Sequence, residues 1–193
     1  MKPEDGAPVS AVPRRALLLA PLGVAAVCGA GSWLLLERLP QEADGPPQVP
    51  SVLIGKLVPP FSLPGQPPGD GFSSADVIAA GRPVLINFFA SWCMPCAQEA
   101  PVLQGMKQQG TAVWGIAYKD KVEATSEFLR NGDDPYTRVA RDESGATGNE
   151  FGLYGVPESF LIDTSGIVRW HWAGGLSEDV VRQSLAPLLR SLA

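Results

Sequence analysis

The chain has 193 residues, 45% of them hydrophobic, and a net charge of −5, which is enough apolar material for one domain with its own core but short for two. Four of the 15 basic and three of the 20 acidic residues stand before Pro40, leaving 11 positive against 17 negative charges in the remainder and no basic cluster. A surface of that sign does not suit phosphate backbones, so nucleic acid is excluded as a partner. Three cysteines, two of them two residues apart, do not make a disulfide framework.

Residues 1–15 are read as a cytoplasmic tail. Residues 16–36 carry no charged side chain, and as a helix they span about 31 Å at about 1.5 Å per residue, the thickness of a bilayer's hydrocarbon core. Arg14 and Arg15 precede the run. A positive flank on the N-terminal side predicts a single-pass span with everything after it outside the cytoplasm. The competing reading is a signal peptide cleaved after Ala30. Trp33, Leu34, Leu35 and Leu36 prolong the apolar run beyond where such a segment stops, which favours a retained anchor. Residues 37–50, rich in proline and acid, form a semi-rigid linker, and residues 51–193 form the globular domain.

Within that domain, residues 84–90 and 112–118 are apolar, β-rich runs, and the segment between them has helical length and ends at Gly110. Strand, helix and strand in so short a stretch predict a parallel pair with a right-handed crossover. Asp120 and Glu123 resemble a capping box opening a second helix over about 121–131. Residues 159–163 and 167–173, separated by Thr164, Ser165 and Gly166, predict a hairpin. Ser177, followed by Glu178 and Asp179, opens a last helix with Val181, Leu185, Leu188, Leu189 and Leu192 on one face, kinked by Pro187. The sum is an α/β domain, a mixed sheet flanked by helices.

Cys93-Met94-Pro95-Cys96 falls where the first strand ends and the helix begins. Cys93 is then at or near the N-cap, where free N–H groups and the helix dipole favour a thiolate. It is the expected nucleophile, and Cys96, one turn in, the resolving thiol. Pro95 sits in the first turn, where its missing N–H costs nothing. A zinc site needs four ligands, and only Cys28 in the apolar span and His171 remain. His171 alternates with Val168, Trp170 and Trp172, which places it beside Arg169 on the other strand face as a surface histidine. No metal and no cofactor are expected. A purely structural disulfide across two residues would close little chain entropy.

These residues carry a resemblance. Residues 89–96, with Pro101 in the following helix, are similar to the thioredoxin active-site signature. Cys93-x-x-Cys96-x-x-Glu99-x-Pro101, Tyr118-Lys119-Asp120 and the run from Gly155-Val156-Pro157-Glu158 to Asp163 resemble the DsbE/CcmG thiol:disulfide interchange proteins of cytochrome c biogenesis. The resemblance covers about residues 54–189. It implies a thioredoxin-like fold and a periplasmic dithiol reductant, supplied with electrons by a membrane thiol donor and acting on apocytochrome c or an assembly thiol protein. It also implies a cis peptide bond before Pro157, facing the cysteines, with Glu158 beside that loop, tuning the cysteine pKa values or accepting the proton of Cys96. Where thioredoxin buries an aspartate this chain has Asn87, which takes no proton, so that task falls to Glu158, Glu99 or water. Glu158→Gln is accordingly expected to slow resolution of the mixed disulfide. Glu99 also reads as a first-turn acid that needs only the helix dipole to account for it. Trp92 and Val156 are read as partner surface, with core packing as the alternative for Trp92. A less specific periplasmic oxidoreductase and a non-catalytic docking module stand as alternative functions.

Overall fold

The computed structural model describes residues 51–132 and 134–192. The expected cytoplasmic tail, membrane span and linker lie outside them, and among the described residues no helix is long and apolar enough to cross a membrane.

Two short strands, β1 (Ser62–Leu63) and β2 (Phe72–Ser73), pair antiparallel and lead into α1 (Ser74–Ala79). Here a capping box does form: Ser73 Oγ accepts from Asp76 N at 3.2 Å and the Asp76 carboxylate accepts from Ser73 N at 2.8 Å. The main sheet follows as β3 (Val84–Phe89), β4 (Ala112–Tyr118), β5 (Arg138–Asp142), β6 (Glu158–Ile162) and β7 (Val168–Ala173), in the spatial order β5-β4-β3-β6-β7. β3, β4 and β5 run parallel, while β6 and β7 are antiparallel to their neighbours. The crossovers are α2 (Met94–Gln108), α3 (Val122–Asn131) and α4 (Ala146–Phe151). The expected parallel pair, hairpin and mixed sheet are all present.

β3 is buried along its whole length, as a central strand covered on both faces must be. On one face Ile86, Phe88, Phe160 and Ile162 pack with Val77 of α1 and Phe151 of α4. On the other, Leu85, Phe89 and Leu161 pack with Cys96, Leu103 and Met106 of α2 and with the C-terminal helical segment. Alternation along β3 therefore sends successive side chains to one core and then the other.

Two expectations change. α3 is capped by the backbone of Lys121, with no side-chain cap, because the carboxylate of Asp120 is used elsewhere. The last helix is broken into α5 (Glu178–Val180), a π-helical turn (Val181–Leu185) and α6 (Ala186–Leu192). In a regular helix the ring of Pro187 would collide with the carbonyl of Gln183, and the turn just before it widens, with Ala186 N bonding to Val181 O. The expected kink takes that form, and Ser177 caps the segment as foreseen, accepting from Val180 N at 3.2 Å.

Candidate active site

β3 delivers the chain to Ala90, and a tight turn, with Cys93 N bonded to Ala90 O at 3.2 Å, starts α2. That turn is clamped by Asp120 at the end of β4, whose carboxylate accepts from Ser91 N (2.6 Å) and Ser91 Oγ (2.9 Å) and also from Thr125 Oγ1 (2.9 Å). Cys93 is the N-cap of α2 in extended conformation, and its Sγ accepts from Cys96 N at 3.2 Å. A thiolate there meets an orphan N–H and the positive end of the dipole.

Cys93 and Cys96 form a disulfide with Cα atoms 5.3 Å apart, well within the span a disulfide bridges. Above it lies the cis Val156–Pro157 peptide, with Val156 O 3.4 Å from Cys93 Sγ, placed to accept from that thiol once the disulfide is reduced. Both cysteines are buried side chains, and their neighbours in the chain are not: Trp92 is 62% exposed and Met94 73%. Core packing of Trp92 is thereby removed, and its indole stands free at the mouth of the site.

Behind the disulfide is a buried polar chain. Cys96 and Glu99 are three residues apart on α2 and share a face. Glu99 Oε1 accepts from Asn87 Nδ2 (2.9 Å) and Oε2 from Leu176 N (2.7 Å). Asn87 Nδ2 also donates to Ser159 Oγ (3.0 Å), and Asn87 Oδ1 accepts from Tyr136 Oη (2.7 Å). Glu99 is thus no exposed first-turn acid. It is buried, and removal from water pushes its pKa up to about 7 against the lowering pull of Leu176 N–H and Asn87. Burial, with Glu99 and Asp134 nearby, also drives the Tyr136 phenol well above its usual range, so Tyr136 remains a donor.

Glu158 stands beside the Val156–Pro157 turn, but its carboxylate is directed away from the cysteines. It pairs with Phe88 and precedes Phe160 by two, so its carboxylate faces the core of α1 and α4, while the cysteines, Asn87 and Glu99 belong to the opposite face of the sheet. Its oxygens are taken by His171 Nε2 (2.5 Å) and Tyr154 N (3.0 Å). That placement removes it as proton acceptor for Cys96. His171 is likewise no surface residue, since its side chain is 3% exposed. The cause is a β-bulge: Leu161 faces Trp170 but Ile162 faces Val168, so Arg169 is the extra residue and the alternation reverses across it. His171 then falls on the face of Val168 and packs against Phe160, ring centroids 4.7 Å apart. Among the described residues no three His, Cys, Asp or Glu side chains are grouped as metal ligands would be.

The AhpC/TSA family model matches residues 54–171. The chain is also 37% identical over 184 residues to the thiol:disulfide interchange protein DsbE of Pseudomonas aeruginosa, covering 93% of this chain and 96% of that protein. The chain belongs to the DsbE family of thiol:disulfide interchange proteins. A second DsbE-family relative, the thiol:disulfide interchange protein HelX of Rhodobacter capsulatus, is 36% identical over 92% of this chain and 97% of its own length. The crystal structure of a Chlorobium tepidum protein assigned as DsbE superposes with a TM-score of 0.62 at 30% identity, over 76% of this chain and all of that one. The fold is thioredoxin-like and the activity is thiol–disulfide oxidoreduction. Within this DsbE-family site, sequence reasoning missed Tyr136, Ser159 and the clamp of Asp120. Tyr136 comes from the loop before β5 and carried no local signal, while Ser159 lay in the Gly155 to Asp163 run but its partner Asn87 is 72 residues away. Asp120 did lie in the Tyr-Lys-Asp motif, but its partner Ser91 is 29 residues away.

Proposed function

We propose that this protein is a membrane-anchored periplasmic reductant of cytochrome c maturation, reducing the disulfide of apocytochrome c or of an assembly thiol protein, with electrons from a membrane thiol donor. The observation that carries the chemistry is the placement of Cys93 Sγ at the helix N-terminus beneath Val156 O, with the Glu99 carboxyl on the same helix face as Cys96. The kinship with DsbE proteins, the Tyr118-Lys119-Asp120 and Gly155–Glu158 motifs and the uncharged run at 16–36 support the setting.

In the reduced protein the Cys93 thiolate attacks one sulfur of the client disulfide, and the client's other sulfur leaves as a thiolate and takes up a proton. The product is a mixed disulfide. Cys96 loses its proton to Glu99 and attacks Cys93 Sγ. The second client sulfur leaves as a thiolate that takes up a proton from water, and Glu99 later returns its own proton to solvent. The client has gained two electrons and two protons, and the protein is left with the Cys93–Cys96 disulfide seen here. The donor's dithiol returns it to the reduced state by the reverse exchange. Val156 and Pro157 present backbone to the client beside Cys93, and exposed Trp92 supplies apolar contact.

Substituting Cys96→Ser in the full-length chain removes the resolving thiol and should trap clients on Cys93. Apocytochromes or assembly thiol proteins should dominate the trapped mixed disulfides. A broad set of unrelated proteins would favour a general oxidoreductase, and an empty trap would favour a docking module.

A further inference from the structure

The turn that carries Val156 over Cys93 joins α4 to β6, and its setting is decided by a few contacts. Leu153 N is bonded to Gly148 O at 3.0 Å, and Pro157 O accepts from Gly174 N at 2.9 Å. Between them Tyr154 N donates to Glu158 Oε2 at 3.0 Å, and Gly155 has open space around it. The Glu158 carboxylate is therefore the side-chain tether of the turn. Its other oxygen is held by His171, itself buried and packed against Phe160. A carboxylate only accepts, so the imidazole must carry its proton on Nε2.

We infer that His171 is a positioning residue for thiol–disulfide exchange, holding Glu158 so that it fixes the Tyr154–Pro157 turn and keeps Val156 aimed over Cys93. A buried carboxylate that loses one of its two donors is left with an unpaired oxygen, and it turns toward another donor or toward water. Either response loosens the Tyr154 N–H bond, and with it the backbone that a polypeptide client pairs against. The inference rests on the exchange activity and not on which client is served. It concerns substrates that engage the turn, and a small aromatic disulfide needs only Cys93.

The test follows single turnovers of the pre-reduced protein with each of two substrates in excess, a synthetic peptide closed by an intramolecular disulfide and dithiobisnitrobenzoate. KM and kcat are then the half-saturating concentration and limiting rate of that one turnover. His171→Phe keeps the ring against Phe160 but removes the donor, and His171→Gln restores a donor. The Phe variant should raise KM for the peptide roughly tenfold, the cost of one hydrogen bond to a charged group, with kcat and the small-disulfide rate within about twofold of the parent. The Gln variant should return KM to within about threefold of the parent, and Glu158→Leu should reproduce the Phe result. An unchanged peptide KM in His171→Phe overturns the inference. So does an equal loss on both substrates, or a failure of Gln to rescue. Absence of exchange in the parent itself would instead strike at the activity.

Discussion

A carboxyl group held at a pKa of about 7 by burial makes folding itself pH-dependent, and Glu99 is such a group. In the unfolded chain it ionises near 4.5, so between there and about 7 the folded state holds the proton more tightly. Its contribution to stability is most favourable below 4.5 and declines as pH rises toward 7. The full span is on the order of 3 kcal/mol. Urea denaturation of Glu99→Gln should show a flatter stability profile between pH 4.5 and 7 than the parent, and parallel profiles would remove the assignment. The same group predicts that resolution of the mixed disulfide quickens as pH passes about 7, and that the Gln variant loses this rise. Glu158→Gln, by contrast, should resolve a mixed disulfide within about twofold of the parent rate. Its amide accepts from Tyr154 N with one end and donates to the other imidazole tautomer with the second. A tenfold or greater loss, measured by single-turnover quench, would return the proton-accepting role to Glu158. Neither acid's role was legible in the sequence alone, because both sit on motif positions and only the faces of the sheet distinguish them.

At the scale of elements, local and distant partners compete for the same side chain. Asp120 has a capping-box pattern, yet its carboxylate serves the turn before Cys93 through Ser91, as well as Thr125 and Lys121 N. Removing it leaves the Ser91 donors without their acceptor, so Asp120→Ala should cost about 1–3 kcal/mol in urea unfolding. Asp120→Asn, which keeps an accepting oxygen, should lose less than half as much. A loss below about 0.5 kcal/mol in Asp120→Ala would mean that the clamp is idle. Where no distant partner intervenes, local signals hold. Ser177 caps its helix, Pro95 occupies the first turn and Cys93 takes the N-cap. The bulge at Arg169 is the opposite case, for one inserted residue exchanges the faces of everything after it. Arg169 Nε bonds Asp163 Oδ2 at 2.6 Å, a contact absent from any alternation pattern.

Across the described residues, the mixed sheet separates two cores, and the reacting thiols with Asn87 and Glu99 lie on one side of it. Gly115 shows how tightly that side is fitted, since a Cβ there would lie 2.8 Å from both the Phe89 and the Tyr136 ring. Those rings stack with centroids 4.6 Å apart and thereby aim Tyr136 Oη at Asn87. The sequence by itself determined the strand–helix junction at Cys93, the parallel crossover, the hairpin and the family, because each rests on residues close along the chain or on a contiguous motif. Tertiary structure decided the rest. Glu99 rather than Glu158 stands behind Cys96, His171 is buried, and Asp120 holds the active-site turn. Each of these depends on which face of a covered sheet a side chain reaches, and a single bulge or a contact from a remote strand changes that face without leaving a mark in the local sequence.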